Sequence, residues 1–172
     1  MRASRPLLLT AAAVLSLATT AVGTAARPGP VEDGTLSVRD GRGTIMLRMR
    51  GGVIGRFARG KLTVTETDSG ANTVIVRGEE DSFEKNERTT VYTGNNIRYR
   101  IASERSIVVK LEATKINFSA VGRGAVWLDG RGDPDNGIFF DGSYSLNGDA
   151  YKSLPDERFR VELKAAPAAE SG

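Results

Sequence analysis

The sequence predicts an all-β protein, either an antiparallel β-sandwich or a flattened barrel of about 10 to 12 short strands. Three observations support this fold class. Apolar and polar residues alternate along most of the chain after Thr35, and β-branched and aromatic residues occupy many of the apolar positions. Clusters of glycine, asparagine and aspartate interrupt the alternation at intervals of roughly 8 to 12 residues, as in all-β domains.

The strands follow from the side chains that share one face, because residues two apart in a strand point the same way. In chain order, the expected core positions are Ile45, Leu47, Leu62, Val64, Val74, Val76, Ile97, Tyr99, Val109, Leu111, Ile116, Phe118, Phe140, Val161 and Leu163. Trp127 and Phe139 have the opposite parity to their neighbours, so they are expected to cover a second face or to line a shallow sugar-binding surface. The polar segment EEDSFEKNER (79–88) is predicted to form a loop or a single helical turn.

Several short clusters are predicted to form tight hairpin turns, because glycine and asparagine tolerate positive φ. They are Gly51-Gly52, Ser69-Gly70, Gly94-Asn95-Asn96, Asn136-Gly137 and Asn147-Gly148. A faint internal similarity also relates residues 45–64 to residues 107–128. The domain is therefore expected either to contain two related halves of about four strands each or to show this similarity by chance.

The N-terminus has the pattern of a secretory signal peptide. Arg2 and Arg5 precede an uncharged apolar stretch, and Ala25 and Ala26 suit a signal-peptidase site. The apolar stretch is short for a membrane span of about 20 residues, so cleavage with no remaining transmembrane anchor is expected. The chain is thus predicted to be secreted or otherwise extracytoplasmic, with a signal peptide at 1–26, a linker at 27–34, one all-β domain at 35–164 and a disordered tail at 165–172.

Three sequence segments resemble those of other proteins. TVYTGNNIRYRI (90–101), SAVGRGAVWLDGRGDP (119–134) and GIFFDGSYSLNG (137–148) are similar to an uncharacterised family of secreted, β-rich bacterial proteins. The resemblance covers roughly residues 35–163. It implies export and an all-β fold, and it implies no activity.

The chain contains no histidine and no cysteine, which excludes several kinds of chemistry. Catalysis by Ser-His-Asp or Cys-His systems is excluded, as are ordinary zinc sites and haem ligation by histidine or cysteine. A Ser-Lys pair at Ser82 and Lys85 lacks the companion motifs of enzymes that use it. We therefore expect a protein that is not an enzyme and has no cofactor, with calcium bound by oxygen ligands as the alternative.

The segment DGRGDPDNG (129–137) is interpreted first as a connection between strands, because Asp-Gly, Asp-Pro and Asn-Gly favour chain reversal. A calcium site is the second interpretation, and its candidate ligands are Asp129, Asp133, Asp135, Asn136 and Asp141. Their spacing does not match an EF-hand. The same carboxylates could form the pair that a glycoside hydrolase needs, and the RGD tripeptide at 131–133 matches an adhesion motif.

Basic side chains supply the remaining candidate site. If Leu47, Tyr99 and Val109 face the core, a set of basic residues faces water and forms a cationic stripe across neighbouring strands: Arg48, Arg50, Arg98, Arg100, Lys110 and Lys115. Arginine suits carboxylate and phosphate groups, so an anionic cell-wall polymer or glycan is the expected partner. Nucleic acid is not expected, because loss of Arg2 and Arg5 lowers the formal net charge from +3 to +1 (3 − 2).

The expected function is accordingly a non-catalytic binding module of the cell envelope or extracellular space. A structural protein that self-associates through exposed strand edges is the first alternative. A hydrolase that uses a pair of carboxylates is the second.

Overall fold

The computed structural model describes residues 33–67, 72–131 and 141–165, and these ranges contain six strands and no helix. All strand pairs are antiparallel, in the order β2-β3-β1-β4-β5, with β6 paired to β3. The strands are β1 (Gly34–Glu66), β2 (Asn72–Asn86), β3 (Thr89–Gly130), β4 (Ser143–Leu146), β5 (Lys152–Ser153) and β6 (Phe159–Leu163). The all-β prediction is confirmed, and the sheet is not closed into a barrel.

The two longest strands, β1 and β3, wind around each other as an antiparallel ribbon. Ile45 in β1 pairs with Leu111 on one side and with Leu128 on the other, although both partners belong to β3. Both segments of β3 run antiparallel to the same part of β1, so β3 must cross from one side of its partner to the other between these two residues. β1 does the same, because Leu111 pairs with both Ile45 and Leu62.

This winding divides the sheet into two layers. Layer A contains residues 34–41, 51–57, 72–77, 97–103 and 116–122 with β4 and β5, and layer B contains residues 43–49, 60–66, 79–86, 89–94, 107–113 and 124–130 with β6. Apolar side chains from both layers belong to one buried cluster. The layers therefore face each other across a shared core, as in a sandwich.

The core consists of apolar rows that run across the strands of each layer. In layer B, Leu62, Leu111, Ile45 and Leu128 occupy successive paired positions, and each is at most 1% exposed. Burying such side chains contributes about 2 kcal/mol each. The core prediction is confirmed for most positions, with Val74, Val76 and Val161 only partly buried; Phe140 lies outside the described residues.

Glycines and a few other residues with positive φ let the long strands bend without ending. Gly51-Gly52 and Gly94-Asn95-Asn96 lie inside β1 and β3, so the prediction of tight hairpins there is wrong. The prediction of 10 to 12 short strands differs from the six observed for the same reason. Asn147-Gly148 does form a turn, directly after β4.

The prediction of a loop or a single helical turn at residues 79–88 is also wrong. Residues 79–86 belong to β2, which pairs with β3, and a turn at Glu87 and Arg88 joins the two strands. The acidic side chains point to solvent along the sheet edge, so a polar sequence is compatible with a strand there.

The two segments that resemble each other in sequence are direct partners. Residues 43–66 pair with residues 107–130 over nearly their full length, so the similar segments form the central ribbon rather than separate halves. The signal peptide, most of the linker, nearly all of the tail and Phe139 lie outside the described residues. Within the described ranges, no helix has the length and hydropathy needed to cross a membrane.

A buried hydroxyl lies at the centre of layer A. The Tyr99 ring packs against Phe57 with 6.3 Å between ring centroids, and its Oη lies 2.6 Å from the point where a Cβ of Gly55 would be. Glycine is therefore required at position 55 to make room for the tyrosine. The hydroxyl has no hydrogen-bond partner among the described residues, and burial raises the pKa of Tyr99 well above its ordinary value.

We expect Tyr99 to make the protein less stable in alkali. Above about pH 10 the tyrosine ionises in the unfolded chain but stays protonated in the folded one, so the free energy of unfolding should fall by up to about 1.4 kcal/mol per pH unit from this residue. In Tyr99→Phe that contribution should disappear, and stability at pH 8 should stay equal or rise by about 1 kcal/mol. Urea unfolding at about pH 8 and pH 11 measures both effects. An unchanged alkaline slope in the variant would contradict the assignment.

Candidate anion-binding groove

Three arginines lie side by side on the outer surface of layer A. Arg98 pairs with Arg77 on one neighbouring strand and with Arg56 on the other. All three side chains are exposed. Because adjacent strands are about 4.8 Å apart, the three guanidinium groups form a row that crosses the strands.

A second row runs beside the first. Arg100 pairs with Ile75 on one side and with Ile54 on the other, two residues along each strand from the arginine row. Ile54 is 58% exposed and Ile75 is 44% exposed. An open groove of about 830 Å³ extends over both rows and also contacts Arg39, Asn117 and Ser119. We call this surface the arginine groove, defined by Arg39, Arg56, Arg77, Arg98, Arg100, Ile54 and Ile75.

The two ends of the arginine groove differ. At one end, the Arg39 guanidinium lies 4.1 Å from the centroid of the Tyr151 ring, and the Tyr151 hydroxyl donates to Ser37. At the other end, a smaller pocket contains Arg56, Arg98, Lys115 and Asp40. The Asp40 carboxylate accepts a hydrogen bond of 3.2 Å from the Asn117 side chain, which holds it beside the groove.

The arginine groove carries positive charge that described carboxylates do not neutralise. No ion pair or hydrogen bond joins the side chains of Arg56, Arg77, Arg98 or Arg100 to another described residue. Like charges placed directly opposite each other across strands destabilise a sheet by up to about 1 kcal/mol per pair. The arrangement therefore has an electrostatic cost in the free protein, which a bound anion would offset.

The outer face of layer B shows the opposite arrangement. Glu112 lies 2.9 Å from the Lys61 ammonium and 3.0 Å from that of Lys110. Partial burial raises the pKa of Glu112, but hydrogen bonds from Lys61 and Lys110 outweigh it, so the pKa lies below its usual value. Lys61 and Lys110 thus already share a carboxylate partner.

The six basic residues predicted from the sequence fall on different parts of the molecule. Arg98 and Arg100 line the arginine groove, and Lys115 lies in the adjoining smaller pocket. Lys110 belongs to layer B and pairs with Glu112. Arg48 and Arg50 are exposed on β1, within layer B and at the bend that follows it.

Sequence reasoning missed Arg39, Arg56 and Arg77. Arg56 and Arg77 adjoin the glycine-flanked ends of apolar runs, and each alternates with a core-facing neighbour, Phe57 or Val76. That parity was a usable signal that both face outward. Their proximity to Arg98 depends on strand pairing between distant segments, for which the local pattern contains no signal.

Trp127 lies on the outer face of layer B, opposite in parity to the buried Leu128. The guanidinium groups of Arg158 and Arg160 each lie 5.7 Å from its ring centroid. These cation–π contacts place two of the chain's own cations beside the ring. A pocket of about 410 Å³ beside Trp127 also contacts Met46 and Lys110. The shallow sugar-binding surface expected at Trp127 stays a prediction.

The candidate calcium ligands are only partly described. Asp133, Asp135 and Asn136 lie outside the described residues, and within the described ranges no three acidic side chains come together as a metal site. Asp141 is buried at 4% exposure, and its Oδ1 has no hydrogen-bond partner among the described residues. Burial and then Asp156 raise the pKa of Asp141, while Arg42 opposes this shift. The calcium and carboxylate-pair predictions remain predictions.

Comparison with known proteins adds no further constraint, since no family model, curated protein or solved structure matches this chain.

Proposed function

We propose that the protein is a secreted, non-catalytic binding module of the cell envelope or extracellular space, and that it holds an anionic polymer or glycan in the arginine groove. The observation that carries the proposal is the lateral row of Arg77, Arg98 and Arg56, which has no carboxylate partner among the described residues. Arginine presents a planar fork of donors that matches carboxylate and phosphate groups. A binding role accounts for a charge arrangement that folding alone disfavours.

The geometry of the groove favours a linear ligand over a compact one. The arginine row crosses three strands, and Asn117 extends it as the next paired residue beyond Arg56. A chain with negative charges along its length can therefore contact successive guanidinium groups if it lies across the strands. Ile54 and Ile75 border the row and offer an apolar surface to the uncharged part of each repeating unit.

We expect binding to depend steeply on salt. If about four arginines contact the ligand, the logarithm of the association constant should fall with the logarithm of salt concentration with a slope of about −3. Fluorescence titration with polygalacturonate and with inorganic polyphosphate, at about 20 to 300 mM NaCl, measures the slope and compares carboxylate with phosphate. Neutral dextran serves as the control and should not bind. Absence of binding by both polyanions at low salt would contradict the proposal.

A further inference from the structure

Strand β2 forms one free edge of the sheet. It pairs with β3 along one side, and along its other side no described strand pairs with it. An unpaired edge presents backbone N–H and C=O groups that can accept another strand, and most proteins protect such edges. The two halves of β2 differ in whether they are protected.

The second half of β2, residues 79–86, carries features that prevent pairing. Its register against β3 shifts at three places, between Arg77 and Glu79, between Glu79 and Asp81, and between Glu84 and Asn86. It also contains four acidic side chains: Glu79, Glu80, Asp81 and Glu84. Both bulges and repeated like charges discourage the addition of another strand.

The first half, residues 72–77, lacks these features. Its register is continuous from Asn72, opposite Ser103, to Arg77, opposite Arg98. The sequence NTVIVR contains no acid, proline or glycine. Ile75 is 44% exposed on the outer face, and Val74 and Val76 are only partly buried against the core. This half is therefore a regular, apolar edge whose side chains on both faces are incompletely covered.

We propose that the edge at residues 72–77 pairs antiparallel with the same edge of a second copy of this chain, forming a two-fold symmetric dimer. The segment complements itself when the symmetry axis passes through Ile75. Ile75 then lies opposite its counterpart on the outer face, and Val74 lies opposite the Val76 of the second copy on the inner face. Arg77 lies opposite Thr73, so no like charges oppose each other directly.

A second copy fits this edge because its residues 72–77 place an apolar side chain opposite each incompletely covered one. Symmetric pairing of one edge also closes the assembly at two copies. Layer A of both copies then becomes one continuous sheet, with the two arginine grooves on the same outer surface. The inference stands independently of anion binding, since it rests on the edge alone.

The first test measures mass without any polyanion. Light scattering and sedimentation of the secreted chain over about 1 to 200 μM should show a dimer. Ile75→Lys places two ammonium groups opposite each other and should raise the dimer dissociation constant by at least roughly tenfold. Phe83→Lys is the matched control, since Phe83 is 50% exposed on the other half of β2, and it should leave the dimer unchanged. Unchanged circular-dichroism spectra show that both variants fold.

The second test examines the register directly, using a chain that contains no cysteine. In Ile75→Cys, the two cysteines should lie opposite each other at a separation that allows a disulfide, so mild oxidation should yield a covalent dimer. Phe83→Cys under the same conditions should remain mostly uncrosslinked. A wild-type monomer at about 200 μM, equal crosslinking of both variants, or open-ended growth with concentration would overturn the proposal.

Discussion

Replacing Gly51 with alanine is expected to lower the free energy of unfolding by about 4 kcal/mol, whereas replacing Gly52 should change it by less than about 1 kcal/mol. Gly51 has a φ of 125°, and a Cβ there would lie 2.1 Å from the Val121 carbonyl oxygen and 2.7 Å from the Gly122 Cα. At Gly52, the nearest atom to an added Cβ is the Ile101 carbonyl oxygen at 3.9 Å. The two adjacent glycines thus differ in both steric space and backbone conformation.

The comparison tests how β1 passes from layer B to layer A. In the wound ribbon, Gly51 pairs with Gly122, and the two backbones approach closely where both strands bend. An exposed hairpin turn would instead tolerate alanine at either position with a modest loss. Urea unfolding of both variants, followed by the fluorescence of Trp127, measures the difference in free energy. Equal effects at the two positions would contradict the crossing described for this bend.

Local alternation correctly predicted most of the expected core positions. Leu47, Leu62, Val109 and Leu111 have essentially no exposed surface, as their parity indicates. The prediction works because strands have a two-residue period that does not depend on which strand pairs with which. The same rule explains why Trp127 and Leu128 lie on opposite faces.

The connectivity could not be predicted in this way. Glycine and asparagine clusters serve both as hairpin turns and as bends within a continuous strand, and local sequence does not separate these uses. Lys115 adopts a φ of 51° at a bend of β3. Positive φ is uncommon for lysine, so the residue type does not predict this bend. The wound ribbon depends on pairing between β1 and β3, whose contacting residues are distant in sequence.

The candidate site shows the same division between local and non-local information. Arg98 and Arg100 were predicted to be exposed because they alternate with Ile97, Tyr99 and Ile101, all buried. The row that they form with Arg56 and Arg77 depends on the register of three strand segments. The alternation of buried and exposed residues therefore identified arginines on the outer face of the sheet. Strand pairing determined which of these arginines are neighbours.

Replacing Arg56, Arg77 and Arg98 together with glutamine is expected to weaken polyphosphate binding by at least about 100-fold while leaving the free protein as stable or more stable. Each cation near a polyanion contributes about 1 kcal/mol, so losing three corresponds to roughly this factor. Stability should rise by about 0.5 to 1 kcal/mol, because Arg98 no longer has a like charge on either side. Loss of binding with a gain in stability distinguishes a ligand site from a structural ion-pair network.

The matched control removes the same number of positive charges elsewhere. Arg48, Arg50 and Lys85 are exposed and lie outside the arginine groove, so their triple replacement with glutamine lowers the net charge equally. Binding measured by fluorescence titration should then fall by less than about fivefold through the general loss of charge. If the control variant loses binding as fully as the groove variant, the attraction is non-specific. If the control variant loses binding and the groove variant does not, Arg48 and Arg50 form the site instead.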